Sequence, residues 1–226
     1  MSSIAENLAA VRGRIAAAAR AAGRDPAEVA LVAVSKTKPP EAIREAYAAG
    51  QRVFGENYAQ ELEAKARALA DLADIEWHFI GHLQSNKAKV AAAHARVVHS
   101  VDGAGLAREL GRRAATAGRG PLGVLIEVSI AGEPQKHGAA PSALAGVIAA
   151  VRAEASLDLR GLMTMPPVGD IDASRRAFAS LASLRDLHGG RAVLPELSMG
   201  MSDDLEAGVA AGATLVRVGS AIFGAR

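Results

Sequence analysis

The sequence predicts an α/β fold, a closed (β/α)8 TIM barrel with an extra N-terminal helix, and three observations carry that expectation. Short apolar, strand-like runs recur along the 226 residues, and helix-length stretches separate them. Strands joined by helices imply parallel pairing, because each parallel crossover needs a long connection. Eight such units in a chain of this length suit a barrel better than an open doubly wound sheet.

Residues 3–22 open the chain with Ile4, Leu8, Val11 and Ile15 at helical spacing. The stretch is alanine-rich and carries arginines, as targeting peptides do. Glu6 interrupts it, however, and no long uncharged core follows, so it reads as an amphipathic helix. The strand-like runs are 30–36, 52–56, 75–81, 97–101, 123–130, 157–164, 195–199 and 214–218. Helix-like stretches lie between them at 40–49, 58–71, 85–94, 103–117, 141–154, 171–187 and 203–211. Gly50 ends the first of these, and Gly189-Gly190 ends the long one that begins near Ile171. Pro141-Ser142 opens another, and Ser202-Asp-Asp204 supplies a cap and acids at a helix start. The chain runs only to Arg226, too short for a full helix after strand eight. The N-terminal helix either takes that place or covers the barrel's base. No linker, low-complexity tract or long charge run divides the chain, so residues 1–226 are expected to form a single domain.

Apolar residues make up 50% of the chain and aromatics only 3%, so the core must rely on aliphatics and close helix contacts. The 26 basic and 24 acidic residues nearly balance, which marks neither a nucleic-acid nor a membrane surface. Absence of cysteine excludes disulfides, thiolate metal ligands and a cysteine nucleophile. No run approaches a membrane span. The expectation is a soluble, cytoplasmic protein, and a monomer, since no exposed apolar patch stands out.

Barrel enzymes build their sites from the C-terminal ends of strands. Here those ends are polar or glycine-rich: Ser35-Lys-Thr-Lys38, Gly55-Glu-Asn-Tyr58, Gly81-His-Leu-Gln-Ser-Asn-Lys87, Met163-Thr-Met-Pro166, Ser198-Met-Gly-Met-Ser202 and Arg217-Val-Gly-Ser220. Lys36 closes an apolar run. Desolvation disfavours the charged form of an amine, so a lysine in that position is a candidate for covalent work on a carbonyl, or a solvated strand terminator. Lys38 shares its alternation parity, but Lys36 lies closer to the apolar run. Ser202 either caps a helix or donates to an anion at its start. Gly219 and Ser220 follow strand eight, where this barrel commonly binds phosphate. Arg217 sits inside an apolar strand and needs a partner, either a structural salt bridge or a ring nitrogen. An amine and a phosphate cradle at one barrel mouth suggest pyridoxal 5'-phosphate (PLP).

Other groups carry less. His78 and His82 share a face of strand three without a nearby acid pair, so no metal site is expected. His94, His99 and His188 read as surface or helix-face residues. Glu56 is the one carboxylate at a strand end beside polar groups, and Asn57 is placed to hydrogen-bond a phenolic oxygen. The flexible-looking stretch 131–138 follows strand five on the same face and is a candidate lid.

Six segments then share a pattern with a known family: Ala33-Val-Ser-Lys-Thr37, Phe54-Gly-Glu-Asn57, Trp77 to Lys87, Gly161-Leu-Met-Thr-Met165, Leu197 to Asp203 and Val216 to Gly224. Over essentially its full length the chain resembles the pyridoxal phosphate homeostasis proteins, PLP-binding proteins of the YggS/PROSC type. The resemblance implies a barrel like the N-terminal domain of alanine racemase, with PLP as a Schiff base on Lys36. It implies phosphate binding around Ser202, Gly219 and Ser220, with Arg217 approaching the pyridine nitrogen. It also implies that Asn57, Met163 and Ser198 line the cofactor, and the Lys136-His-Gly138 loop fits the family's pattern. The family binds and supplies PLP and balances vitamin B6 pools, with PLP-dependent apo-enzymes as possible recipients. Two-sided racemisation needs a second base, and neither Tyr47 nor Tyr58 is clearly placed for it, so the expectation is a carrier and not an enzyme. The alternatives are a weakly active PLP-dependent racemase or decarboxylase, and a Schiff-base aldolase that uses no cofactor.

Overall fold

Eight parallel strands close into a barrel in chain order, with the first paired to both the second and the eighth. They are β1 (Ala30–Val34), β2 (Val53–Glu56), β3 (Glu76–Phe79), β4 (Val97–Val101), β5 (Leu122–Glu127), β6 (Leu157–Met163), β7 (Glu196–Ser198) and β8 (Leu215–Val218). The computed structural model describes residues 3–130, 137–167 and 169–224. The helices among them are α1 (Ile4–Ala21), α2 (Pro40–Ala48), α3 (Ala59–Ala68), α4 (Ala88–His94), α5 (Ala104–Ala117), α6 (Leu144–Arg152), α7 (Ile171–Leu187), α8 (Leu205–Ala210) and α9 (Ser220–Phe223).

The first helix starts on a capping box, in which Ser3 accepts from the Glu6 amide while the Glu6 carboxylate accepts from the Ser3 amide. It buries Leu8, Val11, Ile15 and Ala19. This face packs against α2, α8 and α9. Of the two places open to it, α1 therefore takes the gap beside the short α9. Asn7 fastens the contact by donating to the Ile222 carbonyl at 2.9 Å.

Two apolar layers form. A large one lies between strands and helices, where alanines such as Ala46, Ala88, Ala91 and Ala107 are fully buried and let the backbones approach. A small one fills the barrel interior with Val32, Val97, Leu125, Met163 and Leu215. The near absence of aromatics in the sequence is thus matched by close backbone contact.

Five of the regular strands, β1, β3, β5, β6 and β7, stop short of the C-terminal ends of their apolar runs. β1 stops at Val34, since Lys38 N donates to Ser35 O at 3.0 Å and turns the chain. β3 stops at Phe79 and β5 at Glu127. Stretch 85–94 begins with a 3-10 turn, Ser85–Lys87, before α4. The last helix-like stretch, 203–211, narrows to α8, whose N-cap is Asp204. Most of the candidate lid, residues 131–136, lies outside the described residues. Its flanks are tied together: Ala139 N donates to Glu127 O at 2.8 Å, and Ser129 N to Ala139 O at 3.0 Å.

Candidate functional site

A cavity of about 290 Å³ opens at the C-terminal ends of β1, β2 and β8. Lys36, Asn57, Ser202, Arg217, Gly219 and Ser220 line it, with Val34, Ile80, Met165 and Met201 as its apolar wall. Six of the residues expected from sequence are therefore on one surface. The other two stand behind it. Met163 is fully buried in the barrel interior, and Met165 and Met201 supply the methionine wall in its place. Ser198 is also fully buried and reaches the cavity only through the arginine it holds.

Two lysines face the cavity, and their surroundings differ. Lys38 Nζ donates to the carbonyls of Phe223 and Gly224, both at 3.1 Å, and so caps the end of α9. Lys36 is half-buried on the first turn after β1. Both lysines line the cavity, so its geometry does not by itself decide the choice that alternation left open.

The phosphate candidates meet directly. Ser220 Oγ donates to Ser202 Oγ at 3.1 Å. Ser202 does not cap α8, contrary to the simpler reading of its position. Asp204 takes that turn, accepting from Met201 N at 2.6 Å and from Ser174 Oγ at 2.8 Å. The Ser202 hydroxyl is left facing the mouth, while its carbonyl accepts from Arg14 at 2.9 Å. Gly219 lies against β1. A Cβ there would stand 3.1 Å from Val34 O, so a side chain would crowd the strand that leads to Lys36.

Arg217 is 3% exposed, and its partners are neutral. Nη1 donates to Ser198 Oγ at 2.6 Å and Nη2 to Thr164 O at 3.1 Å. Among the described residues no carboxylate oxygen lies within salt-bridge distance of it, so the structural ion pair is not what is found. Burial lowers its pKa to about 10, against the raising influence of Glu127 and Asp204. Behind it runs a chain that sequence reading missed. Ser198 Oγ is 2.9 Å from His99 Nδ1, and His99 Nε2 is 2.9 Å from His78 Nδ1. With Arg217 donating to Ser198, the assignment that uses every proton has Ser198 donating to His99 and His99 to His78. Burial holds His78 down to about 3 and His99 well below the ordinary range, so both rings are neutral at pH 7.

His99 is thus no surface residue. It is fully buried in a strand whose five residues are all buried, and the apolar run Val97–Val101 was the available signal. His82 does not share a strand face with His78, because β3 has already ended; it is exposed and lies 3.8 Å from Asp102. His82, Asp102 and His137 bring possible ligand atoms within 4.8 Å of one another. The two rings stack face to face, centroids 3.5 Å apart at 10°, so their in-plane lone pairs diverge from any shared metal position.

Glu127 is the second missed group. This acid ends β5 inside an apolar run and is 4% exposed. Burial raises its pKa to about 7, with Arg217 opposing and Asp102 reinforcing the rise. Glu56, by contrast, does not face the cavity. It is fully buried and accepts from Ser35 Oγ at 2.6 Å and from Lys65 Nζ at 2.8 Å.

The cavity fits a phosphorylated pyridine aldehyde on the evidence of one orphaned atom. Asn57 Oδ1 is buried and has no hydrogen-bond partner among the described residues. Such an atom is costly unless a donor meets it. The backbone that presents it is fixed by Gly81, where a Cβ would stand 2.3 Å from Asn57 O.

Comparison with known proteins shows the family and the fold. Residues 7–226 match the alanine racemase N-terminal domain. The chain is 53% identical to the pyridoxal phosphate homeostasis protein of Pseudomonas aeruginosa, covering 100% of this chain and 97% of that one. It is 46% identical to the protein of the same name in Escherichia coli, covering 100% and 98%. The structure of PipY from Synechococcus elongatus, solved with PLP bound, superposes with a TM-score of 0.84 at 42% identity, covering 98% of this chain and 100% of that one. The chain belongs to the pyridoxal phosphate homeostasis protein family, built on the alanine racemase N-terminal barrel.

Proposed function

We propose that this protein binds PLP as a Schiff base on Lys36 and serves intracellular PLP homeostasis, holding the cofactor for PLP-dependent apo-enzymes. The observation that carries the proposal is the meeting of Lys36, the Ser202–Ser220 hydroxyl pair and Arg217 on one cavity. Bound PLP supplies an aldehyde that condenses with an amine and releases water. The residues of the chain do the rest. Ser202, Ser220 and the Gly219 backbone take the phosphate. Arg217, always charged at neutral pH, faces the ring nitrogen and keeps it unprotonated, which weakens the cofactor as an electron sink. Asn57 Oδ1 accepts from the phenolic hydroxyl.

The same arrangement supports carriage over turnover. Tyr47 bonds to Asp74 and stacks under Arg52, away from the cavity, and Tyr58 is 51% exposed outside it. A monomer in the cytoplasm is the setting we propose. No described helix is long and apolar enough to cross a membrane. Borohydride reduction of the PLP-loaded protein followed by mass mapping tests the proposal. A PLP adduct on Lys36, with no amino-acid turnover at high protein concentration, is expected. Rapid racemisation or decarboxylation would replace the carrier with an enzyme, and a colourless protein with no adduct would remove PLP altogether.

A further inference from the structure

The amine proposed to carry the cofactor sits in a strained turn that residues outside the cavity hold in place. Lys36 and Thr37 are the central pair of the turn closed by Lys38 N on Ser35 O. Thr37 has φ 62°, the one non-glycine residue with positive φ among those described. A β-branched side chain crowds its own backbone there, so the conformation persists only where surrounding structure imposes it.

Three bonds impose it. Glu61 Oε2 accepts from Thr37 N at 2.8 Å. Lys65 Nζ donates to Ser35 O at 2.7 Å. Ser35 Oγ donates to Glu56 Oε1 at 2.6 Å. Lys65 joins the group by also donating to Glu56 Oε1 at 2.8 Å and to Glu61 Oε2 at 2.7 Å. Its ammonium therefore meets three acceptors, as many as it has protons. Lys65 is 6% exposed and Glu56 fully buried, and burying such charges is costly. An arrangement held for stability alone has no reason to converge on the two peptide groups that flank one side chain.

We propose that Lys65, Glu56 and Glu61 are positioning residues that clamp the Ser35–Thr37 backbone and thereby aim Lys36 into the cavity. None of the three lines the cavity, so they act through the backbone and not on the cofactor. Holding the amine in one direction favours its covalent attachment over mere binding of phosphate and ring. The inference rests on the reading of Lys36 as the attachment residue.

The test compares wild type with Glu61→Ala, Glu61→Gln and Lys65→Met. Amide hydrogen exchange at residues 35–38 is measured without PLP. With PLP, total bound cofactor is measured beside the share that borohydride fixes on Lys36. In Glu61→Ala, Thr37 exchange is expected to rise and the fixed share to fall, each about tenfold, the scale of one charge-assisted hydrogen bond. Glu61→Gln keeps an acceptor for the Thr37 amide and is expected to restore most of both. Lys65→Met strands a buried carboxylate and serves only if it folds; the two partly exposed Glu61 variants decide without it. Unchanged exchange with an unchanged fixed share in Glu61→Ala overturns the clamp, as does an equal fall in total and fixed cofactor. If wild type carries no adduct on Lys36, the attachment reading fails by itself, and the exchange arm still decides whether the clamp holds the turn.

Discussion

Ser202 and Ser220 stand 18 residues apart in the chain and bring their hydroxyl oxygens to 3.1 Å at the barrel mouth. They come from the loops after β7 and β8, the pair of loops where this fold commonly binds phosphate. Two hydroxyls converging on one anion share a single interaction. Ser202→Ala and Ser220→Ala are each expected to weaken PLP binding about tenfold, and the double variant by less than the product. Equilibrium dialysis measures this, with pyridoxal, which lacks the phosphate, as the control. Equal losses for PLP and pyridoxal would move the serines out of the phosphate role.

Single substitutions distinguish the roles of Lys36 and Lys38, which line the same cavity. Lys36→Ala is expected to abolish the reducible adduct while leaving the melting temperature within a few degrees, since the side chain is only half-buried. Lys38→Ala is expected to keep the adduct. It removes the cap on the Phe223 and Gly224 carbonyls and costs about 1 kcal/mol of stability. Mass mapping and thermal unfolding on the same two samples check both. An adduct that persists in Lys36→Ala and vanishes in Lys38→Ala would exchange the two roles.

Glu127 ties stability to pH. Its folded pKa of about 7 lies above the ordinary 4.5. Between those values the folded protein holds a proton that the unfolded chain has released, so stability falls as pH rises through the window. The loss is complete above pH 7 and amounts to about 3 kcal/mol. His78 acts in the opposite sense, because its folded value of about 3 lies below 6.5 and acid favours the unfolded chain. The difference between Glu127→Gln and wild type cancels that second contribution. Urea unfolding is expected to show the variant nearly level with wild type at about pH 5 and more stable at about pH 8. A difference that does not change with pH would mean that Glu127 is already ionised on folding.

How much of this was legible depends on whether a partner lies nearby in sequence. The eight strands were legible because short, mostly apolar runs alternate with helix-length stretches. That Lys36, Gly219 and Ser220 share one cavity was legible because a barrel sends every C-terminal strand end to one face. Lys65 and Glu61 were not, since an i,i+4 pair on a helix reads as surface decoration. Their significance lies with Ser35 and Thr37 on another element, and no spacing rule reaches that far. Met163 was placed on the cavity wall by resemblance, yet the strand's alternation sends it into the barrel interior with Val32 and Leu125. Glu127 and His99 lie between. Each is a polar residue in a mostly apolar run, the same signal that singled out Arg217, and buried polar groups of that kind demand partners.

Arg217 lets stability and function be separated. Its charge is buried without an ion pair among the described residues, and burial lowers its pKa to about 10. That cost is fully present at every pH below about 10 and fades only as pH rises beyond it toward the ordinary guanidinium range. Replacing a buried charge by an apolar side chain of similar volume is often neutral or stabilising. Arg217→Met is therefore expected to hold or raise the melting temperature, with the loss of a donor to Ser198 offset by the removed desolvation cost. PLP retention is expected to fall at least about tenfold, because the donor opposite the ring nitrogen is gone. The visible band of the remaining bound cofactor is expected to shift as that nitrogen becomes free to protonate. Opposite signs for stability and retention mark a residue kept for the ligand. A parallel fall in both would make Arg217 a structural strut, held by Ser198 and Thr164 for the barrel's own sake.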